Sequence, residues 1–532
     1  MSFMSISFLL FLALVVIAYY ITPSKYQWVT LLVASYVFYL FAGVKLVGFI
    51  VFTTASTYAC GLWLGKKNIA FNAELKELGK AAAKEEKNKL KEQYKIQKRS
   101  ILTLFILANF GILFVLKYFN VISGFSNFVL SFTKSDFRVS SINLFLPLGI
   151  SFYTFSSIGY IVDVYRDKYA PEKNLAKYAL FISFFPQIIQ GPVARYDDLV
   201  TQLFESRKFD FSRIRSGAEL MLWGYFKKMV IADRLTIMNT AILSNPQEYP
   251  GMWLVVASPL SWIELYMDFS GGIDIARGVA EMLGIELAEN FKRPFFADSL
   301  PEFWRRWHMS LNDWWRDYIF YPMTLSKPLT KLGQKCRKIF GANFGKKVPI
   351  MLSLLVVRVI NSFWHGANCV YLIGGLYHGI LVALSFSLED VIKKITRKLK
   401  INTECLSWKV IRVLRTFWIV FLVRPFYKAT NWSEVKIAVS SVFKTFNPWI
   451  LFDGSLYTLG VTEKQFHVVL IALLIVLIVS LCQEKGYQMR EVLHKQNLVV
   501  RWMIYLVGIY SIIIFGAYGM GYDAASFTYM NF

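Results

Sequence analysis

The sequence predicts an all-α protein that crosses a membrane many times. Of its 532 residues, 55% are hydrophobic, 17% are aromatic and only 18% are charged, and the mean hydropathy is +0.43. This composition lies outside the range that is usual for soluble domains. Apolar runs such as 1–21, 101–118, 466–482 and 502–519 carry few or no charges, and a helix of about 20 residues crosses the hydrocarbon core of a bilayer. Both observations favour a polytopic bundle of helices.

The positions of the basic residues predict the orientation of the chain. The formal charge is +24, and basic stretches at 66–99 and 391–400 stand directly beside apolar runs. The positive-inside rule places such stretches in the cytoplasm, so we expect contact with membrane lipid and no nucleic-acid partner. Lys and Glu share helical spacing in 66–99, which is typical of a solvated helical hairpin. No Lys or Arg precedes Lys25, so the first run is expected to remain as an anchor, with the N-terminus outside.

The apolar runs divide the chain into a series of candidate spans. We expect about ten or eleven of them to cross fully and some of the middle ones to be re-entrant. The candidates lie near 1–21, 27–43, 45–64, 101–118, 143–162, 175–190, 215–232, 252–270, 348–364, 370–388, 410–426, 466–483 and 500–519. Five cysteines lie far apart with no pair at metal-ligand spacing, which indicates neither a metal site nor a disulfide framework.

Polar residues interrupt the apolar runs in the middle of the chain. "FFPQIIQGPVARY" (184–196) combines Gln187 with two prolines, and "MDFSGGIDIARG" (267–278) places Asp268 beside two glycines. Helix breakers and ionisable groups at membrane depth are tolerated only where protein or a water-filled cavity satisfies them. The pattern therefore predicts an internal polar cavity, with Gln187 and Asp268 as candidate lining residues.

Two charged residues in the second of these segments allow two interpretations. Asp274 and Arg277 are three residues apart, a spacing that permits a structural ion pair on one helix. Charged residues within membrane segments are also candidates for a functional role. The sequence leaves both possibilities open.

Two histidines stand in unusual settings. "EFWRRWHMSLNDWW" (302–315) places His308 among two arginines and four tryptophans, and "NSFWHGAN" (361–368) places His365 after an aromatic pair. If 350–365 is helical, Arg358, Asn361 and His365 share one face of a helix that ends where Gly366 follows. Such a histidine is either a satisfied core residue or a general base, since its ordinary pKa lies near neutrality.

Five strings in a fixed order resemble the membrane-bound O-acyltransferase family, and most closely its bacterial alginate O-acetyltransferase branch. They are "FLPLGISFYTFSSIGYIVDVYR", "FFPQIIQGPVARY", "MDFSGGIDIARGVAEMLG", "EFWRRWHMSLNDWWRDYIFYPM" and "NSFWHGANCVYLIGGLYHG". The D-alanyl transferases of teichoic acid modification are the nearest other relatives. The likeness is strong over 140–390, which we take as the motif-bearing core of a single membrane domain, 1–532. The hairpin 66–99 and membrane helices in 391–532 complete that domain.

The resemblance implies a ring of about 10–11 transmembrane helices, with re-entrant segments, around a central tunnel. It further implies that His365, in the "WHG" motif, is the active-site residue and that His308, in the "RWH" motif, is a second catalytic residue. Developing charge on the oxygen of the acyl group would need hydrogen-bond donors, which Asn361, His308 or an arginine could supply. The residues expected to bind substrate or to line the tunnel are Trp364, Asn361, Arg305, Trp307, Asp268 and Gln187.

The resemblance also implies a reaction and its partners. The expected function is movement of an acetyl group from a cytoplasmic thioester such as acetyl-CoA, with no tightly bound cofactor, for O-acetylation of an exported or cell-wall polysaccharide. The expected partners are an extracytoplasmic SGNH-type acetyltransferase or polysaccharide-export components, in the cytoplasmic membrane of a bacterium. The segment 321–347 is longer and more basic than is usual in this branch, which keeps D-alanyl transfer from an acyl-carrier protein open. A polysaccharide-export transporter or scaffold is the alternative from a different class.

Overall fold

All regular structure in the described part of the chain is helical. The computed structural model describes residues 2–79, 83–133, 137–142, 146–188, 190–366, 369–424 and 432–518. This confirms the predicted all-α class. The chain divides into two compact units, the first made of 5–214 with 279–288, and the second of 2–4 with 215–278 and 289–532.

The first unit contains helices from the first part of the chain. They are α1 (Ile6–Ile21), α2 (Gln27–Leu40), α3 (Val47–Glu77), α4 (Lys84–Ser131), α5 (Ile150–Tyr165), α6 (Leu175–Ser183), α7 (Phe185–Ile188) and α8 (Tyr196–Phe204). Side chains cap two of these helices, because Ser5 accepts from Phe8 N in α1 and Asn174 accepts from Ala176 N in α6. Such caps satisfy backbone donors that have no partner within the helix.

A long antiparallel hairpin leads out of the apolar part of the first unit. Lys67 Nζ donates to Gln97 Oε1 at 2.9 Å, and Lys98 Nζ donates to Asn68 Oδ1 at 2.8 Å. These bonds join the charged end of α3 to the charged beginning of α4. The described residues of 66–99 form a helical hairpin, and residues 80–82 are not among them. Its cytoplasmic location stays a prediction.

The remaining helices lie in the second unit, except that residues 211–214 and 279–282, which belong to two of them, are part of the first unit. They are α9 (Phe211–Tyr225), α10 (Asp233–Ser244), α11 (Met252–Met282), α12 (Leu300–Arg306), α13 (Met309–Trp315), α14 (Tyr321–Thr324), α15 (Lys327–Phe340), α16 (Ala342–His365), α17 (Cys369–Lys398), α18 (Leu406–Phe421), α19 (Trp432–Lys444), α20 (Glu463–Glu484), α21 (Met489–His494) and α22 (Leu498–Phe515). Two stretches of π-helix, Phe226–Ala232 and Arg316–Phe320, interrupt this series.

Helices α9 and α11 cross at unusually close range. A Cβ atom on Gly224 would lie 2.6 Å from the carbonyl oxygen of Gly271, and one on Gly271 would lie 2.8 Å from that of Gly224. Only glycine permits this approach of two backbones. Helix α11 continues through Gly271, so this glycine serves close packing and does not interrupt the helix.

Six helices in the described residues are long and apolar enough to cross a membrane. They are 44–77, 84–131, 342–365, 370–398, 463–484 and 498–515, and Ile6–Ile21 is a shorter apolar helix. The chain is thus a multi-pass membrane protein. Several middle candidates are divided into shorter pieces, as where α6 ends at Ser183 and the short α7 begins at Phe185. The number of full crossings, about ten or eleven, stays a prediction.

Candidate active site

A cavity lies within the second unit, among α11, α12, α13, α16 and α17. It leaves about 760 Å³ of space not filled by protein atoms, including its open mouth. Its apolar walls include aromatic rings of α11 and α12, and its polar lining includes His308, Asn312, Arg358, Asn361, His365 and His378. A largely apolar pocket with a few convergent polar groups is the usual form of a small-molecule site.

His365 occupies the last position of α16. The helix ends there because the backbone of the next residue, Gly366, is extended (φ −170°, ψ 145°). This confirms the predicted helix end. The imidazole packs edge to face against Trp364, with 4.6 Å between the ring centroids. Arg358, Asn361 and His365 all line the cavity, as their spacing on one helical face predicts.

His308 is held rigidly between α12 and α13. Its side chain is 3% exposed, and its backbone is left-handed at φ 45° and ψ 55°. The ring packs edge to face against Phe269 at 4.8 Å, and its Nδ1 lies 3.2 Å from Oδ1 of Asn290. Burial lowers the pKa of His308 to about 3, so the imidazole is neutral at physiological pH.

The hydrogen bonds at Asn290 assign the tautomer of His308. The backbone N–H of Ser310 donates to Asn290 Oδ1 at 3.0 Å, and the Ser310 hydroxyl lies 2.9 Å from the same oxygen. A backbone N–H only donates, so this side-chain atom is the carbonyl oxygen and His308 Nδ1 carries the hydrogen. The other nitrogen of the neutral ring, Nε2, is then an acceptor. The network therefore favours a proton-accepting His308 over the oxyanion donor that was proposed from the sequence.

Asn361 provides a hydrogen-bond donor, whereas His308 provides an acceptor. Its Oδ1 accepts a hydrogen bond of 2.9 Å from the indole Nε1 of Trp315, which orients the amide. The Nδ2 group of Asn361 makes no hydrogen bond among the described residues. An amide N–H₂ fixed in this way at the wall of a cavity can donate to an oxygen that gains negative charge.

The other predicted site residues are placed differently. Trp307 is buried and lines the cavity, where its ring packs against Trp262 at 5.1 Å. Trp364 is half-buried and packs against His365, and it is not among the residues that line the cavity. Arg305 is exposed and is not among the residues that line the cavity.

Asp268 belongs to a buried cluster of charges away from the cavity lining. Lys228 Nζ lies 2.6 Å from an oxygen of Asp268 and 2.7 Å from one of Asp233. The neighbouring Asp274 pairs with Lys227 at 2.7 Å and with Arg277 at 3.8 Å. The structural ion pair considered from the sequence is thus present, and its closer partner is Lys227. Buried charges in such pairs stabilise only as a complete set.

Gln187 lies in the first unit, on the short helix α7. It is 5% exposed, and its Nε2 donates to the carbonyl oxygen of Phe181 at 3.0 Å. This hydrogen bond links α7 to the last turn of α6 across the interruption between the two helices. The second-unit cavity does not include it.

The sequence interpretation missed His378, the third histidine of the cavity. It lies in α17 and is 4% exposed, and neither of its ring nitrogens has a hydrogen-bond partner among the described residues. It reaches the site because Cβ atoms on Gly375 and Gly379 would lie 2.7 and 2.8 Å from side chains of α16, so the two helices pack closely. The available signal was a lone histidine within the glycine-rich string "GGLYHG" of an apolar helix.

Comparisons with known proteins agree with these features. A model of the membrane-bound O-acyltransferase family matches residues 171–334. The "Probable alginate O-acetylase AlgI" of Azotobacter vinelandii is 31% identical over 477 residues, which are 89% of this chain and 83% of that relative. The "Peptidoglycan O-acetyltransferase" of Helicobacter pylori is 30% identical over 63% of each chain. The "Teichoic acid D-alanyltransferase" of Bacillus subtilis is 30% identical over 47% of this chain and 62% of its own length.

Proposed function

Because the chain belongs to the membrane-bound O-acyltransferase family, we propose that it moves an acetyl group from a cytoplasmic thioester across the membrane, for O-acetylation of an extracellular or cell-wall polysaccharide. Membership of the family makes the chain an acyltransferase. The observation that carries the finer proposal is the meeting of His308, Asn361 and His365 in one cavity, together with 31% identity to an alginate O-acetylase over 89% of the chain.

The proposed reaction is attack of a hydroxyl on a thioester carbonyl. His365 accepts the proton of the hydroxyl while the hydroxyl oxygen bonds to the carbonyl carbon. A positioned general base raises the rate of such a step by about 10²–10⁴-fold. The Nδ2 group of Asn361 donates to the carbonyl oxygen as that oxygen becomes negative. The C–S bond then breaks, and the protonated His365 returns the proton to the leaving thiolate. Formation of an acyl-imidazole on His365 is a second route to the same products.

His308 has a supporting role in this proposal. Its Nδ1–H is directed at Asn290, so Nε2 is the hydrogen-bond acceptor of the neutral ring. A fixed acceptor next to the reacting atoms orients a hydroxyl or a bound water by receiving its hydrogen. His308 thereby positions a reactant, and His365 carries out the proton transfer.

The proposed cellular setting is the cytoplasmic membrane of a bacterium. The donor is acetyl-CoA or another cytoplasmic thioester, and the partners are an extracytoplasmic SGNH-type acetyltransferase or components of polysaccharide export. Deletion of the gene is expected to remove O-acetyl groups from one polymer while its export continues. Loss of the polymer itself would instead favour a transporter or scaffold.

The direct test uses purified protein in detergent. Thioester cleavage and acetyl transfer are measured with acetyl-CoA and with oligosaccharide acceptors. Cleavage that depends on His365 supports the proposal, and the complete absence of thioester cleavage in folded protein contradicts it.

D-alanyl transfer from an acyl-carrier protein is the second candidate. The basic helix α15 favours it, because Lys331, Lys335, Arg337 and Lys338 are exposed on a segment that could attract an acidic carrier. Cells that release D-alanine and not acetate on mild alkaline treatment would replace the first candidate by this one.

A further inference from the structure

Arg358 is a cavity residue with no counter-ion among the described residues. Its guanidinium carbon lies 4.2 Å from the ring centroid of Trp304, which is a cation–π contact. Its Nη1 is buried and makes no hydrogen bond to the described part of the protein. A guanidinium that is partly removed from water and has no carboxylate is costly unless another anion compensates for its charge.

Trp304 and His378, which lie beside Arg358, also have buried polar atoms without a hydrogen-bond partner in the described residues. The ring of Trp304 packs edge to face against His378, with centroids 5.2 Å apart. The indole Nε1 of Trp304 and both ring nitrogens of His378 are buried without a hydrogen-bond partner in the described residues. All three side chains line the cavity that holds His308 and His365. Buried polar groups are nearly always hydrogen-bonded in native structures, so a cluster of this kind is typical of a binding site.

The chemistry of the cluster specifies its ligand. The guanidinium and the indole only donate hydrogen bonds, and the neutral imidazole adds one donor and one acceptor. Three donors with one full positive charge fit an oxygen that carries negative charge. Gly375 and Gly379 bring α17 against α16 and so place the imidazole beside the guanidinium.

We propose that Trp304, Arg358 and His378 form a subsite that binds a negatively charged oxygen of the acyl donor. This inference rests on the proposed function. Two sources share the chemistry, namely a phosphate group of the donor and the thioester oxygen as it becomes negative during attack. The subsite lies in the cavity of His365, so either oxygen would be held close to the reacting group.

The first experiment measures anion binding without any transfer reaction. Thermal unfolding of the purified full chain is compared in sodium phosphate and in sodium chloride of equal ionic strength. We expect phosphate to raise the Tm of the wild type by about 1 °C at concentrations near ten times its Kd. The increase should be absent in Arg358→Met and His378→Phe and smaller in Trp304→Phe, which keeps the aromatic ring and removes the N–H.

Matched controls are available elsewhere in the chain. Arg99 and His467 are exposed and lie outside the cavity, so Arg99→Met and His467→Phe should keep the full increase. Arg358→Met should fold at least as well as the wild type in chloride, because it removes a charge that no described carboxylate balances. The inference is overturned if phosphate does not raise the Tm of the wild type. It is also overturned if phosphate raises the Tm of Arg358→Met and His378→Phe equally, which would indicate an adventitious ion only.

The second experiment identifies the source of the oxygen. Steady-state kinetics with acetyl-CoA are expected to show at least a tenfold loss of kcat/KM in Arg358→Met. A loss through KM alone assigns the oxygen to a phosphate of the donor, and a loss through kcat alone assigns it to the reacting carbonyl. Anion binding in a protein that transfers no acyl group would retain the subsite and refute the proposed function. Acyl transfer with unchanged kcat and KM in all three variants would support the proposed function and refute the subsite.

Discussion

His308 Nδ1 lies 3.2 Å from Asn290 Oδ1, and the same oxygen receives the backbone N–H of Ser310. Asn290 thus fixes both the position and the tautomer of a histidine that is 3% exposed. Further, the backbone N–H of Met309 donates to the carbonyl oxygen of Asn290 at 2.9 Å. One asparagine therefore anchors the turn and the ring together. Replacement of the Asn290 side chain should therefore alter the chemistry of His308, although Asn290 is not itself among the residues that line the cavity.

Replacement of His365 by alanine is expected to abolish transfer. The loss should be about 10²–10⁴-fold in kcat, the contribution of a positioned base, while thermal stability stays near that of the wild type, since the side chain is only half-buried. The measurement is acetyl transfer by purified protein. Replacement of the exposed His467 by alanine is the matched control and should keep full activity. Substantial transfer by His365→Ala would refute the assignment of the chemical step.

Replacement of His308 or of its partner should give partial defects. His308→Ala is expected to leave a measurable residual rate, because the residue orients a reactant and does not take its proton. Asn290→Leu removes the carbonyl that holds Nδ1–H and should lower kcat more than it raises KM. If only His308→Ala is inactive, the roles of the two histidines must be exchanged.

Burial of His308 predicts a dependence of stability on pH. Its pKa is about 3 in the folded protein, against an ordinary value of 6.5. Below pH 6.5 the unfolded chain binds a proton that the folded chain does not, so the stabilisation is complete above 6.5 and is lost as the pH falls towards 3. The loss is about 1.4 kcal/mol per pH unit.

The test of this pH dependence is a comparison with His308→Asn, because asparagine tolerates the left-handed backbone and does not titrate. The free energy of unfolding of the wild type should fall by about 2 kcal/mol more than that of the variant between pH 6.5 and pH 5. Parallel curves for the two proteins would show that His308 is not held neutral.

The close packing of α16 and α17 predicts the effect of a single methyl group. Gly375→Ala places a Cβ 2.7 Å from the side chain of Ser362, and overpacking of this kind costs about 1–3 kcal/mol. The matched control is Gly111→Ala on α4, where a Cβ meets nothing within 4 Å and helix propensity should add about 0.5–1 kcal/mol of stability. The unfolding temperatures of both variants provide the measurement. Equal changes in both variants would contradict close packing at Gly375.

The orientation of the chain is tested by labelling. In a variant without its native cysteines, Asn88→Cys and Lys394→Cys should react with an impermeant reagent only after the cells are opened, because both sites lie in basic stretches. Val44→Cys, at a position that is 74% exposed before α3, should react in intact cells. Labelling of residue 88 or 394 in intact cells would reverse the orientation.

Local patterns in the sequence predicted the features that depend on neighbouring residues. The end of α16 at His365 and the shared face of Arg358 and Asn361 follow from helical spacing and one glycine. Contacts between distant segments were not predictable in this way. Lys228 and Asp268 are 40 residues apart, and no spacing rule relates them. An alternation or period describes one element, whereas the partners of a buried charge depend on how several elements pack.

The same limit explains why the third histidine was missed. The string around His378 reads as an ordinary apolar helix with small residues. Its glycines become informative only when α16 is known to pack there. Trp304 and Arg305 are adjacent in one motif, yet their side chains lie in different surroundings. Arg305 is exposed, whereas Trp304 is 8% exposed and forms part of the cavity wall.

The hairpin of α3 and α4 has a practical consequence for imaging. Helix α4 contains 48 residues and is about 72 Å long, which is more than twice the thickness of the hydrocarbon core. Its charged beginning, residues 84–100, accounts for about 25 Å of that length and pairs with α3. A detergent micelle that covers the apolar runs leaves this charged helical segment outside the detergent. It would give particles of a 61.4 kDa chain an asymmetric landmark for alignment in electron cryo-microscopy.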